Sequence, residues 1–107
     1  MARKHAWLIA YDIAHPGRLR RVHKLISRHA QAVQYSVFAA IMTDTALHRL
    51  MTSLARLMDE QQDDIRAWRL TPETRVWLMG RDALSDGIWL AEPLLTRLLE
   101  AEEERRA

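Results

Sequence analysis

The chain of 107 residues contains no cysteine, only three glycines and three prolines, and no long apolar run. The absence of cysteine excludes disulfides and thiolate metal sites, and it favours a reducing compartment such as the cytoplasm. No apolar run approaches the roughly 18 residues that span a bilayer, and the first residues lack the apolar core of a signal peptide. Because 49% of the residues are apolar, the composition predicts one compact domain rather than a disordered chain.

Acidic residues are nearly missing from the first 30 positions, although the formal net charge is only +2. This segment contains seven lysines and arginines and a single acid, Asp12. Most of the other acids lie in 59–64 and 100–104. A basic half in a nearly neutral protein favours a polyanionic partner such as nucleic acid. A basic helix face that only contacts solvent would give the same pattern.

Motifs for several well-known chemistries are also missing. The chain has no glycine-rich phosphate-binding loop and no pair of histidines at the spacing of a helical metal site. No Ser-His-Asp arrangement can be assembled from the sequence, and Ser36 has no obvious partner. The five histidines are scattered, so we expect surface positions for them. His15 stands apart because it follows Asp12 by only three residues.

The first third of the chain predicts a strand followed by an amphipathic helix. Residues 6–13 are apolar on both faces up to Asp12, which is typical of a strand that is covered on two sides. Pro16 suits the first turn of a helix. The apolar stripe of this helix reaches Ala30, and its opposite face is basic.

The middle of the chain completes a regular alternation of strands and helices. Residues 32–42 predict either one long strand or two short strands that meet near Tyr35-Ser36. Thr43-Asp44 predicts the N-cap of a second helix, whose apolar stripe extends to Met58, and 65–70 predict a further strand. The order βαββαβ predicts an α+β, ferredoxin-like fold, with two helices on one face of an antiparallel sheet.

The other face of this sheet also carries apolar side chains. They are Leu8, Ala10, Trp68 and either Val37 or Phe38. Because such a face needs a cover, we expect a two-fold homodimer that packs sheet against sheet.

The end of the chain predicts an additional strand and a helix. The strand covers 75–79 and is closed by Gly80; 81–87 read as a polar loop, and 93–106 read as a helix. We expect the strand to pair with the edge of the partner's sheet, burying either Val76 and Leu78 or Trp77 and Met79. The predicted division is a ferredoxin-like domain over 1–80, including the exchanged strand, and a C-terminal tail over 81–107.

Asp12 is the residue that a simple strand does not explain, because it closes an otherwise apolar run. Its carboxylate either accepts hydrogen bonds from the following turn or serves as a functional group at the end of the sheet. One carboxylate is a poor metal site, since Mg²⁺ takes octahedral oxygen ligation with one or two carboxylates, water and phosphate. A dimer axis near the strand end would supply two copies of Asp12. A metal ion between them would polarise a phosphodiester and activate a water molecule.

Three short motifs resemble the CRISPR-associated Cas2 family. They are Tyr11-Asp12-Ile13, the basic helix start at 18–22, and the run QYSVF at 34–38, in the order and spacing of that family. The resemblance covers about residues 6–70. Two family features are absent, namely a glycine ahead of the second strand and an acid after the phenylalanine, where Ala39 stands.

The resemblance implies a ferredoxin-like dimer that takes part in spacer acquisition for antiviral defence beside the Cas1 integrase. It implies either a metal-dependent endonuclease of RNA or DNA, or a non-catalytic bridge that holds DNA between integrase dimers. A related ferredoxin-like toxin nuclease is a third, more distant interpretation. Expected partners are a second copy of the chain, a Cas1-type integrase, and DNA or RNA, but no membrane.

The resemblance also implies particular site residues. Asp12 corresponds to the catalytic, metal-binding aspartate, with Mg²⁺, or alternatively Mn²⁺, as its cofactor. The family's arginines correspond to Arg18, Arg20 and Arg21, and the basic helix face adds Lys24 and Arg28 as expected nucleic-acid contacts. The predicted supporting residues of the cleft are Tyr11, Ser36 and Phe38.

Overall fold

The computed structural model describes residues 2–77 and 88–90 of the chain. Its elements are β1 (Lys4–Asp12), α1 (Pro16–Ser27), β2 (Gln31–Gln34), β3 (Val37–Thr43), α2 (Asp44–Ala55), β4 (Asp64–Leu70), β5 (Arg75–Trp77) and β6 (Ile88–Leu90). The first four strands form an antiparallel sheet in the order β2-β3-β1-β4. This is the predicted α+β, ferredoxin-like arrangement. None of the described helices is long and apolar enough to cross a membrane.

Both helices begin at side chains that accept hydrogen bonds from the first turn. At α1, the His15 ring accepts from the backbone N–H of Gly17 at 3.0 Å, and Pro16 occupies the first helical position. At α2, the Thr43 hydroxyl accepts from the backbone N–H of Ala46 at 3.0 Å, as the sequence predicts. The apolar stripe of α2 extends past its end, because Leu57 lies in a hydrogen-bonded turn and still packs against the core.

The main core lies between the two helices and one face of the sheet. Alternation along β1 directs Ile9 and Tyr11 into this core, whereas Asp12 points to the other face. The remaining buried members are Val22, Ile26, Ala30, Phe38, Ala40, Met42, Leu50 and Leu54. Burying a large apolar side chain contributes about 1.5–3 kcal/mol, so this cluster is the main source of the fold's stability.

The second face of the sheet is apolar as well. A smaller cluster there contains Ala6, Ala39 and Leu70. The register places Leu8 opposite both Ala39 and Trp68, and it places Ala10 opposite Val37. Of the two candidates, Val37 and not Phe38 therefore lies on this face, which resolves the choice that the sequence left open. The Trp68 residue remains 47% exposed there.

Beyond the four-stranded sheet, β5 pairs antiparallel with β6, with Arg75 opposite Leu90 and Trp77 opposite Ile88. The strand that the sequence predicts from Arg75 is thus confirmed as far as Trp77, but its partner β6 was not predicted. Strand exchange with a second copy stays a prediction. The predicted strand residues 78–79, the loop over 81–87, the helix over 93–106 and the boundary between 80 and 81 lie outside the described residues.

Candidate functional site

Asp12 and Asp64 form a pair of carboxylates at one end of the sheet, which we call the acidic rim. Asp12 is the last residue of β1, Asp64 is the first residue of β4, and the two are directly opposite in the strand register. Side chains at opposed positions of antiparallel strands share a face, with Cβ atoms roughly 4.5–5.5 Å apart. Both residues are exposed. The structure therefore gives Asp12 a second carboxylate within its own chain, which the sequence analysis missed.

Asp64 is held in its charged form by a neighbouring arginine. Its two carboxylate oxygens accept from Nε and Nη2 of Arg66 at 2.9 and 3.0 Å. These hydrogen bonds lower the pKa of the Asp64 carboxyl below its ordinary value. The acidic rim thus contains at least one carboxylate that stays ionised under mildly acidic conditions.

The adjacent residue, Asp63, has a completely different environment. Its side chain is fully buried, and its oxygens accept from Arg18 Nε at 2.8 Å and from Arg18 Nη2 at 3.2 Å. They also accept from the backbone N–H groups of Ala14 and Asp59, each at 2.9 Å. The bonds from Arg18 are the main reason why the pKa of Asp63 lies far below its ordinary range. Asp63 therefore fastens the loop that follows β1 to α1 and to the turn before β4.

Most of the Arg18 side chain is buried where it pairs with Asp63. Only 19% of the Arg18 side chain is exposed, and its hydrogen bond with Asp63 raises the pKa of the guanidinium. A contact between Arg18 and nucleic acid stays a prediction. The other basic residues that were predicted as contacts are all exposed on α1 or at its C-terminal cap, namely Arg20, Arg21, Lys24 and Arg28.

His15 has a structural role in α1. Its Nδ1 atom accepts from the backbone N–H groups of Gly17 and Arg18, at 3.0 and 3.4 Å. A Cβ atom at Gly17 would lie 3.0 Å from Cε1 of the His15 ring, so the cap requires a glycine or a shift of the ring. The position of His15 near Asp12 in the sequence is thus explained by helix capping.

The predicted supporting residues lie behind the rim, on the helix side of the sheet. The Tyr11 ring stacks on Phe38 with centroids 6.1 Å apart, and the Tyr11 hydroxyl is 2.8 Å from Nδ1 of His23. The pKa of the Tyr11 hydroxyl is raised, mainly because the side chain is buried and to a smaller extent because Tyr35 is nearby. Ser36 contributes its backbone, because its carbonyl accepts from the N–H of Tyr11 at 3.1 Å. These residues position the end of β1 from the opposite face to Asp12.

The donor atoms at the rim suit a partly hydrated metal ion. Among the described residues, no group of three or more His, Asp and Glu side chains could enclose a metal. Mg²⁺ commonly binds through one or two carboxylates and completes its octahedron with water and phosphate oxygens. Asp12 and Asp64 supply that number of carboxylates on one face, so the residues fit Mg²⁺ that is shared with a phosphate-containing ligand.

The fold and the rim define a small ferredoxin-like protein with an acidic sheet end and a helix α1 that carries exposed cations. Residues 5–76 match the family model described as CRISPR associated protein Cas2. The chain therefore belongs to the CRISPR-associated Cas2 family, which confirms the resemblance drawn from the three motifs.

Individual relatives agree with this assignment. The chain is 34% identical over 83 residues to a "CRISPR-associated endoribonuclease Cas2 2" of Thermodesulfovibrio yellowstonii, covering 77% of this chain and 91% of that protein. It is 40% identical over 95 residues to a "CRISPR-associated endonuclease Cas2" of Halalkalibacterium halodurans, covering 82% and 96%. The crystal structure of Streptococcus pyogenes Cas2 superposes with a TM-score of 0.58 at 34% identity, covering 62% of this chain and 86% of that chain. A hypothetical protein of Thermus thermophilus superposes with a TM-score of 0.66 at 28% identity, covering 73% and 93%.

Proposed function

We propose that this chain is a dimeric, metal-dependent endonuclease that hydrolyses RNA or DNA phosphodiesters and acts with a Cas1-type integrase in CRISPR spacer acquisition. The observation that carries the proposal is the acidic rim, where Asp12 and Asp64 lie exposed on one face of the sheet, in a chain whose helix α1 carries exposed cations. The names of the relatives, endoribonuclease in one case and endonuclease in another, support the same class of reaction.

The homodimer forms through the sheet face that the helices do not cover. This face carries Leu8, Ala10 and Val37, and Trp68 remains 47% exposed on it. An apolar face of this kind is stabilised by packing on a second sheet about 10 Å away. Because Asp12 points to the same face, the carboxylates of both copies would face the interface. One edge of the additional strand β5 pairs with β6. The other edge of β5 then pairs with the partner's sheet.

The residues at the site have two roles, metal binding and phosphate binding. Asp12 and Asp64 would hold Mg²⁺ or Mn²⁺, and the hydrogen bonds from Arg66 lower the pKa of Asp64 further below neutral pH. The exposed cations Arg20, Arg21, Lys24 and Arg28 bind backbone phosphates along α1. When bound, the metal ion supplies Lewis-acid polarisation of the scissile phosphodiester.

The proposal is tested by replacing the first rim carboxylate. Asp12→Asn removes a charged ligand but keeps the size of the side chain, so Mg²⁺-dependent cleavage of labelled single-stranded RNA or duplex DNA is expected to fall below detection. Glu60→Gln is the matched control, because Glu60 is an exposed acid in the turn before β4. Cleavage that survives in purified, dimeric Asp12→Asn protein would contradict the proposed catalytic role.

A second candidate function is a non-catalytic DNA bridge for the integrase. It is favoured by the excess of exposed cations on α1 over carboxylates at the rim. A bridge needs phosphate contacts but no metal, so Asp12→Asn would leave spacer acquisition intact, whereas Arg20→Ala with Arg21→Ala would reduce it. DNA affinity would also fall steeply with salt, with a log–log slope of about 0.9 for each phosphate contacted. Spacer acquisition with Asp12→Asn therefore separates the bridge from the endonuclease.

A further inference from the structure

A small pocket lies on the helix side of the sheet, on the opposite face to the acidic rim. It measures about 260 Å³ and is lined by Tyr11 of β1, by Leu19, Arg20 and His23 of α1, and by Tyr35 in the turn between β2 and β3. Tyr11 and Asp12 are consecutive in β1 and point to opposite faces of the sheet. The pocket and the rim therefore share one end of the sheet without sharing a side chain.

The walls of this pocket combine three kinds of chemistry. The Tyr11 hydroxyl and Nδ1 of His23, 2.8 Å apart, form a polar wall, and Phe38 packs against the edge of the His23 ring with centroids 5.3 Å apart. Arg20 adds an exposed cation. Tyr35 is 85% exposed, so its ring is accessible to a ligand.

We propose that this pocket binds one unstacked nucleobase of a nucleic acid strand. The base stacks on the Tyr35 ring and against Leu19, its polar edge meets the Tyr11–His23 pair, and Arg20 binds the adjoining phosphate. This inference rests on the proposed function in one respect, namely that the protein binds nucleic acid. Aromatic side chains with a nearby arginine are the usual platform for single-stranded bases, since every base has a π-face.

The size of the pocket favours a base over larger ligands. Its volume lies just below the range of about 300–1,000 Å³ that is typical of pockets for drug-sized molecules. An isolated phosphate would not use the aromatic and aliphatic walls. A base inside a duplex has both faces covered by its neighbours, so it cannot enter. The pocket therefore predicts preference for loops, overhangs and other unpaired segments.

The test uses the full-length protein and two probes of equal length, a blunt duplex and a hairpin with 2-aminopurine in its loop. Stacking on an aromatic side chain quenches 2-aminopurine, so quenching is expected with the wild type and with Tyr35→Phe. Tyr35→Ala is expected to weaken hairpin binding roughly 5- to 100-fold and to abolish the quenching. Its affinity for the blunt duplex is expected to remain unchanged.

The matched control is Gln34→Ala, an exposed neighbour in the same hairpin, which is expected to leave both affinities unchanged. The base pocket is overturned if Tyr35→Ala binds the hairpin as well as the wild type does, or loses equal affinity for both probes. A wild-type protein that binds neither probe overturns the proposed function and this pocket together. A wild type that binds both probes while Tyr35→Ala changes nothing overturns the pocket alone.

Discussion

Asp63 and Asp64 are neighbours in the sequence, but the fold treats them in opposite ways. The Asp63 carboxylate is fully buried and accepts four hydrogen bonds, from Arg18, Ala14 and Asp59. Asp64 is exposed at the acidic rim, where its hydrogen bonds come from Arg66 within the same strand. One acid joins three segments of the fold, and the next one faces solvent.

The comparison shows where charge stabilises this protein and where it is left for function. A buried carboxylate is tolerated only when its oxygens are satisfied, and Asp63 meets that condition. Asp12 and Asp64 lie at opposed strand positions and are exposed, and the Asp64 carboxylate pairs with Arg66 of its own strand. Exposed ion pairs contribute little to stability, so the rim adds little to the stability of the fold.

The largest expected effect comes from removing the charge of Asp63. In Asp63→Asn, the Arg18 guanidinium loses its ion-pair partner, and the amide nitrogen faces donors instead of accepting from them. Removing one partner of a buried ion pair is strongly destabilising, so we expect the melting temperature to fall by roughly 10 °C or more. The measurement is thermal unfolding monitored by circular dichroism at pH 7.

Asp64→Asn is the matched control for this prediction. It changes the adjacent acid in the same way, but at an exposed position where ion pairs contribute little. We expect its melting temperature to stay within a few degrees of the wild type, and we expect the Mg²⁺ concentration for half-maximal cleavage to rise. Equal losses of stability in the two variants would contradict the division between a structural and a functional acid.

The pH dependence of the melting temperature should show the stabilising role of Asp63 without a mutation. The pKa of Asp63 is lowered in the fold, so its ionised form contributes stability that is fully present above the unfolded pKa of about 3.9. That contribution is lost as the pH falls below this value. We expect a melting temperature that is nearly constant from about pH 7 to pH 5 and declines below about pH 4. Asp63→Asn should decline less, and parallel curves would show that other carboxylates dominate the acid response.

Local patterns were sufficient to predict most of the fold. The signals lie within a few residues of the sequence, namely the apolar run of β1, the apolar stripes of both helices, Pro16 and Thr43, and the structure agrees with each. The break near Tyr35-Ser36 is also confirmed, as the turn between β2 and β3. The strand β6 escaped prediction because three residues are too few to show a period.

The candidate site was harder to predict because it depends on distant pairings. Asp12 is recognisable as an acid at the end of an apolar strand, but its partner Asp64 follows only from the register between β1 and β4. The structural role of Asp63 was not predicted, because the residue lies in an acidic run that is typical of a solvated loop. Its burial requires Arg18, 45 residues away, and no local pattern records that contact.

The smallest expected effect concerns His15, which follows Asp12 by three residues in the sequence but caps α1. Its ring accepts from Gly17 and Arg18, so His15→Ala removes the N-cap and is expected to lower the free energy of unfolding by about 0.5–2 kcal/mol. His15→Asn should restore most of that loss, because asparagine is among the preferred N-cap residues. Chemical denaturation measures both variants. If His15→Asn recovers stability and cleavage is unchanged in both, His15 is a capping residue; a loss of cleavage that asparagine does not restore would place it in the site beside Asp12.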